Sequence, residues 1–183
     1  MDLSDGELLR RSAAGEEAAF TALYRRFHGS IYRFAHHMSG CRSTAEEVTQ
    51  EVFLALIRQG GDVDTERPLV AWLLGVARNH VLKRRHGDSR YQSLASDAAI
   101  EPVAEPDQLE ELTRHESIDK LRRAVLALPP RYREVVVLCE LEEMSYEEAA
   151  RVLGCATGTV RSRLHRARAL LTGRLRIKAR CTA

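Results

Sequence analysis

Residues 145–171 read SYEEAARVLGCATGTVRSRLHRARALL, and this stretch decides the fold of the second half of the chain. Ser145, followed three residues later by Glu148, is typical of a capping box and predicts a helix that begins here. Gly154 is placed to end that helix. After a short turn, apolar residues recur at helical spacing and predict a second, longer helix. Two helices joined by a tight turn that contains glycine predict a helix-turn-helix.

The second of these helices is basic. Residues 157–183 contain eight Lys or Arg and no Asp or Glu. Val160, Leu164 and Leu171 fall on one stripe that can pack on a core, while the opposite face is polar. An apolar back with a basic, hydrogen-bonding front suits the DNA major groove, and a merely solvated face is the alternative. The candidate DNA contacts are Thr159, Arg161, Ser162, His165, Arg166 and Arg168.

Helical spacing also dominates the first half of the chain, where strand-like alternation is absent. Residues 7–34 predict two helices with a break near Gly29. Thr44 with Glu47 matches a capping box, which predicts that a third helix begins at Thr44. A fourth helix is predicted from Leu69 to about residue 85, just after a proline.

The composition then changes. Residues 86–116 carry two basic side chains against eight acidic ones. Residues 87–106 are rich in Ser, Asp, Ala, Glu and Pro, which predicts a flexible acidic linker. The expected fold is therefore all-α, with two small helical domains, residues 1–86 and 107–183, joined by residues 87–106.

Several function classes are disfavoured by the sequence. The acidic N-terminus lacks the apolar core of a secretory signal, and no apolar run is long enough to span a bilayer. The four cysteines lie far apart and form no CxxC pair, so we expect reduced thiols in a cytoplasmic protein. Because no cluster of ligands has the spacing of a metal site, we expect no metal. No phosphate-binding glycine loop, HExxH motif or nucleophile elbow is present, so we expect neither an enzyme, a cofactor nor a small-molecule substrate.

The segments quoted above resemble a known family. Residues 126–171 are similar to region 4 of bacterial sigma-70 family transcription initiation factors, and in particular of the small extracytoplasmic-function (ECF) group. Three segments of the first half resemble region 2 of the same group: AAFTALYRRFHGSIYRFAHHMSG (18–40), AEEVTQEVFLALIRQ (45–59) and WLLGVARNHVLKRR (72–85). The resemblance covers nearly the whole chain in order, with a linker where the family has one.

The resemblance implies that residues 1–86 bind the clamp helices of the β′ subunit of core RNA polymerase. The implied polymerase-binding residues are Glu47, Gln50, Glu51, Phe53, Leu54 and Ile57. From spacing alone, a solvated helix face is the favoured interpretation of Glu46, Glu47 and Glu51.

The resemblance also implies that residues 72–85 read the −10 promoter element, through Trp72, Arg78, Asn79, Lys83, Arg84 and Arg85. Trp72 is either a base contact or a core residue. Ala71 stands beside it where housekeeping sigma factors place a second aromatic, so we expect weaker unaided DNA melting.

In region 4 the resemblance assigns reading of the −35 element to the basic helix and a contact with the polymerase β flap to the same domain. It further implies an anti-sigma protein as a partner. The competing hypothesis is a stand-alone helix-turn-helix regulator whose first domain dimerises or senses a ligand. Such a regulator has no need of the two region-2 segments that carry QEVFL and WLLGVARN.

Overall fold

The computed structural model describes the backbone of residues 3–60, 63, 68–88 and 110–180, and the side chains of residues 3–60, 63, 68–84 and 117–175. Within these ranges the chain forms eight α-helices and no strand, which confirms the all-α prediction. The helices are α1 (Asp5–Ala13), α2 (Glu17–Ser39), α3 (Arg42–Gln59), α4 (Leu69–Asp88), α5 (Glu110–Leu126), α6 (Pro130–Val136), α7 (Tyr146–Leu153) and α8 (Thr157–Arg180). The predicted linker overlaps the end of α4 at its first two residues, and its remainder lies outside the described residues.

The break between the first two helices lies at residues 14–16, so the prediction of a break near Gly29 is wrong. Gly15 has a φ of 88°, a left-handed conformation that suits a turn between helices. Gly29 instead lies inside α2, where Phe27 and Ile31 on either side of it are both buried. The packing of this continuous apolar stripe outweighs the roughly 1 kcal/mol that glycine costs inside a helix.

The third helix begins at Arg42, two residues before the predicted start at Thr44. Cys41 occupies the N-cap position and no side chain caps the helix, so the predicted capping box of Thr44 and Glu47 does not form. Glu47 pairs instead with Arg84 of α4. Because Thr44 already lies within the first turn, the matching residue spacing has no free helix end to cap.

The second half follows its predicted signals more closely. The capping box of Ser145 and Glu148 forms, and Gly154 ends α7 in the left-handed conformation with a φ of 63°. Before it, α6 gives way to a π-helical turn at Val137–Leu141. That turn leads into the loop before α7.

The two halves, here called the first lobe (α1–α4) and the second lobe (α5–α8), share one continuous apolar core. Helix α2 packs on α5 and α6, and α4 packs on α7. Helix α4 runs close to α7 at Gly75, where a Cβ atom would lie 3.9 Å from the carbonyl oxygen of Val152, an ordinary van der Waals distance. The lobes therefore touch directly as well as being joined along the chain.

Charged side chains cross the boundary between the lobes. Arg78 of α4 donates through Nε to Oε1 of Glu134 at 2.8 Å, and Glu134 is only 2% exposed. Arg133, 3% exposed, donates through Nη1 to the carbonyl oxygen of Met38 at the end of α2, at 2.6 Å. A buried charge of this kind is tolerated only where hydrogen bonds or an opposite charge replace water. These two adjacent residues of α6 therefore tie the second lobe to both α4 and α2.

Candidate DNA and polymerase interfaces

Helix α8 has one buried and one exposed side, as its sequence predicts. Val160, Leu164 and Ala167 are at most 1% exposed and pack on α6 and α7. The residues predicted to contact DNA lie away from this stripe: Arg161, Ser162, His165, Arg166 and Arg168 are exposed, and Thr159 is half-buried. The polar front is therefore accessible over about three turns of the helix.

Both ends of α7, the helix before α8, are fixed by local hydrogen bonds. The Ser145 N–H donates to Oε2 of Glu148 at 2.8 Å, and the Glu148 N–H donates to the Ser145 Oγ at 3.2 Å. The Ser145 hydroxyl also donates to Oε2 of Glu148 at 2.8 Å, and this bond together with the one from the Ser145 N–H lowers the pKa of Glu148. At the other end of α7, the Cys155 N–H donates to the carbonyl oxygen of Ala150 at 3.1 Å. Local hydrogen bonds thus fix where α7 begins and where it ends.

The exposed arginines of α8 lie beside side chains from neighbouring helices. The guanidinium carbon of Arg161 lies 5.9 Å from the ring centroid of Tyr146, which is the first residue of α7. Arg168 donates through Nε to Oε1 of Glu140 at 3.0 Å. On the other flank, the Arg166 guanidinium lowers the pKa of the Tyr132 hydroxyl.

Pattern and spacing offer no reason to assign a role to Tyr132, Glu140 or Tyr146. Their proximity to the arginines depends on how α6, α7 and α8 cross. Only the helical register of Tyr146, at the start of the helix that packs against α8, was available as a signal.

Helix α4 carries the predicted −10 contacts on more than one face. Asn79 and Lys83 are exposed, whereas Trp72 is half-buried and packs against the core. Arg78 is held by Glu134, and Arg84 is held by Glu47. The sixth predicted contact, Arg85, has its side chain outside the described residues. The structure thus leaves two of these side chains free of a described ion pair and exposed to solvent.

Four of the six predicted polymerase-binding residues line one groove between α2 and α3. The groove has a volume of about 410 Å³ and is lined by Phe20, Tyr24, His28, Glu46, Thr49, Gln50, Phe53, Leu54 and Ile57. Ile57 is 61% exposed and Tyr24 is 41% exposed, while Phe53 is 4% exposed and forms the floor. The rings of Tyr24 and Phe53 lie 4.7 Å apart between centroids. The groove thus leaves two large apolar side chains open to solvent above an aromatic floor.

The other two predicted polymerase-binding residues, Glu47 and Glu51, do not line the groove. Glu47 is exposed and Glu51 is half-buried on the adjoining face of α3. The carboxylates and the apolar groove therefore occupy neighbouring faces, which gives the helix a polar edge beside an apolar one.

Two other kinds of site are absent from the part of the chain that the structure describes. No three His, Cys, Asp or Glu side chains come together as a possible metal site. None of the described helices is long and apolar enough to cross a membrane.

Comparisons with known proteins agree with this geometry. Residues 23–91 match the family model for Sigma-70 region 2, and residues 118–171 match the model for Sigma-70, region 4. The ECF RNA polymerase sigma factor SigM of Mycobacterium tuberculosis is 32% identical over 92% of this chain and 83% of SigM. The ECF RNA polymerase sigma factor SigE of Mycolicibacterium smegmatis is 37% identical over 85% of this chain, but the chain spans only 62% of the length of SigE.

A solved structure shows the same fold. The sigma factor RpoE of Bartonella quintana, crystallised in complex with the anti-sigma factor NepR, superposes with a TM-score of 0.70. The two sequences are 25% identical, and the match covers 86% of this chain and 97% of RpoE. The region-2 match contains α3, α4 and most of the α2–α3 groove, and the region-4 match contains residues 145–171 of the helix-turn-helix. The chain belongs to the sigma-70 family of RNA polymerase sigma factors, in the ECF group.

Proposed function

We propose that this protein is a transcription initiation factor that binds core RNA polymerase and directs it to promoters through their −10 and −35 elements. The observation that carries the proposal is the polar front of α8, which stays exposed while the back of the same helix is buried in a capped helix-turn-helix. The family consists of transcription factors rather than enzymes. The polymerase and the promoters lie in the cytoplasm, so we place the protein there.

In this proposal α8 enters the major groove of the −35 element. Arg161 and Arg166 have the forked donors that recognise the O6 and N7 acceptors of guanine. Ser162 and His165 lie between them on the exposed face and supply further hydrogen bonds to bases or phosphates. Thr159 and Arg168 are better placed for the phosphate backbone, which gives affinity but little sequence information.

Helix α4 provides the −10 contacts in this proposal. Asn79 offers an amide to an extruded base, and Lys83 offers a charge to a phosphate. Arg78 is engaged by Glu134 of the second lobe, with a distance of 2.8 Å from Nε to Oε1. Binding of a phosphate by Arg78 therefore requires this pair to break, which means that the lobes move apart or that the guanidinium rotates.

The groove between α2 and α3 is the proposed docking site for the β′ clamp helices. Ile57 and Tyr24 present apolar surface, and Gln50 presents an amide at the edge of the groove. Glu51 on the adjoining face can pair with basic side chains of the clamp, and Glu47 can do so once its pair with Arg84 opens. The second lobe would contact the β flap. Because RpoE was crystallised with an anti-sigma factor, we also propose an anti-sigma protein as a regulatory partner here.

Binding of the full-length protein to purified bacterial core RNA polymerase tests the proposal. Ile57→Arg places a charge in the groove and should weaken binding by at least about tenfold, since an uncompensated buried charge costs several kcal/mol. Ala18→Arg is the control, because Ala18 is exposed on α2 of the same lobe but does not line the groove. Failure of the unaltered protein to bind the polymerase would favour a stand-alone regulator instead.

A further inference from the structure

The contact between Arg161 of α8 and the ring of Tyr146 has no part in the function proposed so far. Tyr146 begins α7, where the Ser145–Glu148 capping box fixes the backbone on which it stands. The ring is half-buried and packs against the core, so its position is set by its own helix and not by DNA. Arg161, in contrast, is exposed. A fixed ring thus lies beside a flexible cation, at 5.9 Å from the ring centroid to the guanidinium carbon.

The helical register explains why one ring can serve this flank of α8. Arg161 and Arg168 are seven residues apart, which brings them to the same side of a helix two turns apart. The Glu140 carboxylate raises the pKa of Arg168, and the Tyr146 hydroxyl adds to this effect. Arg166 lies on the opposite flank, beside Tyr132. The contact with Tyr146 is therefore specific to one flank.

A long exposed arginine has many rotamers, and ordering them when DNA binds costs free energy. An aromatic face attracts a guanidinium through its quadrupole within about 6 Å of the centroid. A ring anchored in the core can therefore restrict Arg161 before the base is met. Such preorganisation favours the sequence that Arg161 recognises more than it favours random DNA.

We propose that Tyr146 is a positioning residue for promoter recognition: its ring holds the Arg161 guanidinium in the orientation that reads a base of the −35 element. The inference rests on the function proposed above. It assigns to the first helix of the helix-turn-helix a share in sequence discrimination, without any contact between Tyr146 and DNA.

The test uses holoenzyme assembled from core RNA polymerase and the full chain. The probe is a duplex library with a randomised −35 segment, from which bound molecules are sequenced. The readout is the ratio of affinity for the preferred sequence to affinity for random sequence. Tyr146→Leu should lower this ratio by about two- to fivefold, as expected for an exposed cation–π contact. Tyr146→Phe keeps the ring and should keep the ratio.

A double-mutant cycle separates positioning from a general structural role. In an Arg161→Ala background, Tyr146→Leu should change the ratio no further, because the side chain through which it acts is gone. In an Arg166→Ala background, which affects the opposite flank, Tyr146→Leu should have its full effect. An equal effect in both backgrounds would overturn the proposal, as would a Phe variant that behaves like the Leu variant.

A second variant keeps the test decisive if Tyr146→Leu fails to fold. Pentafluorophenylalanine at position 146 has nearly the shape of phenylalanine but a reversed ring quadrupole, so it should repel the guanidinium. It should lower the ratio with an unchanged melting temperature, and an unchanged ratio would contradict the proposal. If the unaltered holoenzyme shows no preference in the −35 segment, the proposed function fails; if it shows one that Tyr146 variants leave intact, only this inference fails.

Discussion

The pair of Arg78 and Glu134 offers the sharpest perturbation of the contact between the lobes. Arg78→Met keeps most of the side-chain length but removes the cation 2.8 Å from the carboxylate. The Glu134 side chain is 3% exposed, whereas the Arg78 side chain is 26% exposed. Arg78→Met should therefore cost more than Glu134→Gln. The first leaves an unpaired carboxylate buried, whereas the second leaves an unpaired guanidinium that can turn towards water.

The magnitude follows from that difference in burial. Leaving one partner of a buried ion pair uncompensated costs about 3–5 kcal/mol. Because this pair lies between two lobes, the carboxylate can regain water if the lobes separate without unfolding. We expect Arg78→Met to open the lobes with little loss of helix, and Glu134→Gln to have a smaller effect. The double variant Arg78→Met with Glu134→Gln should stay closed, since neither charge remains.

Small-angle X-ray scattering measures the opening as a rise in the radius of gyration, and circular dichroism checks that the helices remain. Arg84→Met is the matched control. It breaks the pair with Glu47, but both partners belong to the first lobe and Glu47 is 54% exposed, so the scattering should not change. If Arg78→Met changes neither the radius of gyration nor the melting temperature, the pair of Arg78 and Glu134 does not hold the lobes together.

Three further predictions concern single sites. Arg161→Ala should reduce discrimination at the −35 element by about 1–3 kcal/mol, measured by competition with scrambled DNA, and an equal loss on scrambled DNA would identify a phosphate contact instead. Ser145→Ala should destabilise the protein by about 1 kcal/mol at neutral pH. The folded pKa of Glu148 lies below its ordinary value of 4.5, so the capping contribution is complete above that value and is lost as the pH falls through the lower one. Urea denaturation should therefore show a smaller difference in the free energy of unfolding between the unaltered protein and Ser145→Ala at about pH 3 than at neutral pH. A difference that does not change with pH would contradict this prediction. Hydrogen bonding with Ser43 lowers the pKa of Cys41 to about 7, so its alkylation rate, followed by mass spectrometry, should rise with a midpoint near pH 7, and a midpoint near pH 9 would contradict this.

In the second lobe, the sequence correctly predicts features that depend on residues within one helical turn. The Ser145 capping box, the left-handed Gly154 and the buried stripe of α8 depend only on residues three or four apart. The same logic failed at Gly29 and at Thr44. In the first case tertiary packing overrode the local cost of glycine, and in the second the helix began earlier and the carboxylate found a partner on α4.

Contacts between distant segments were out of reach of pattern and spacing. Arg78 and Glu134 are 56 residues apart, and no periodicity relates them. Spacing identified Arg78 only as a basic residue on a helix, and the resemblance gave it a role at DNA. Likewise, helical register places Gln50 and Ile57 on one face of α3 and Glu51 off it, but only the packing of α2 beside that face makes it a groove. Local sequence thus predicts which side chains a helix exposes, and the packing of helices decides which of them act together.

Transcription with purified components tests the central claim most directly. Core RNA polymerase should give discrete run-off products from a pool of genomic fragments when the full chain is added, and none of these products without it. The Arg161→Ala and Ile57→Arg variants should each reduce those products, the first by weakening promoter choice and the second by weakening assembly with the polymerase. Identical products with and without the chain would contradict the assignment of this protein as a promoter-specificity subunit.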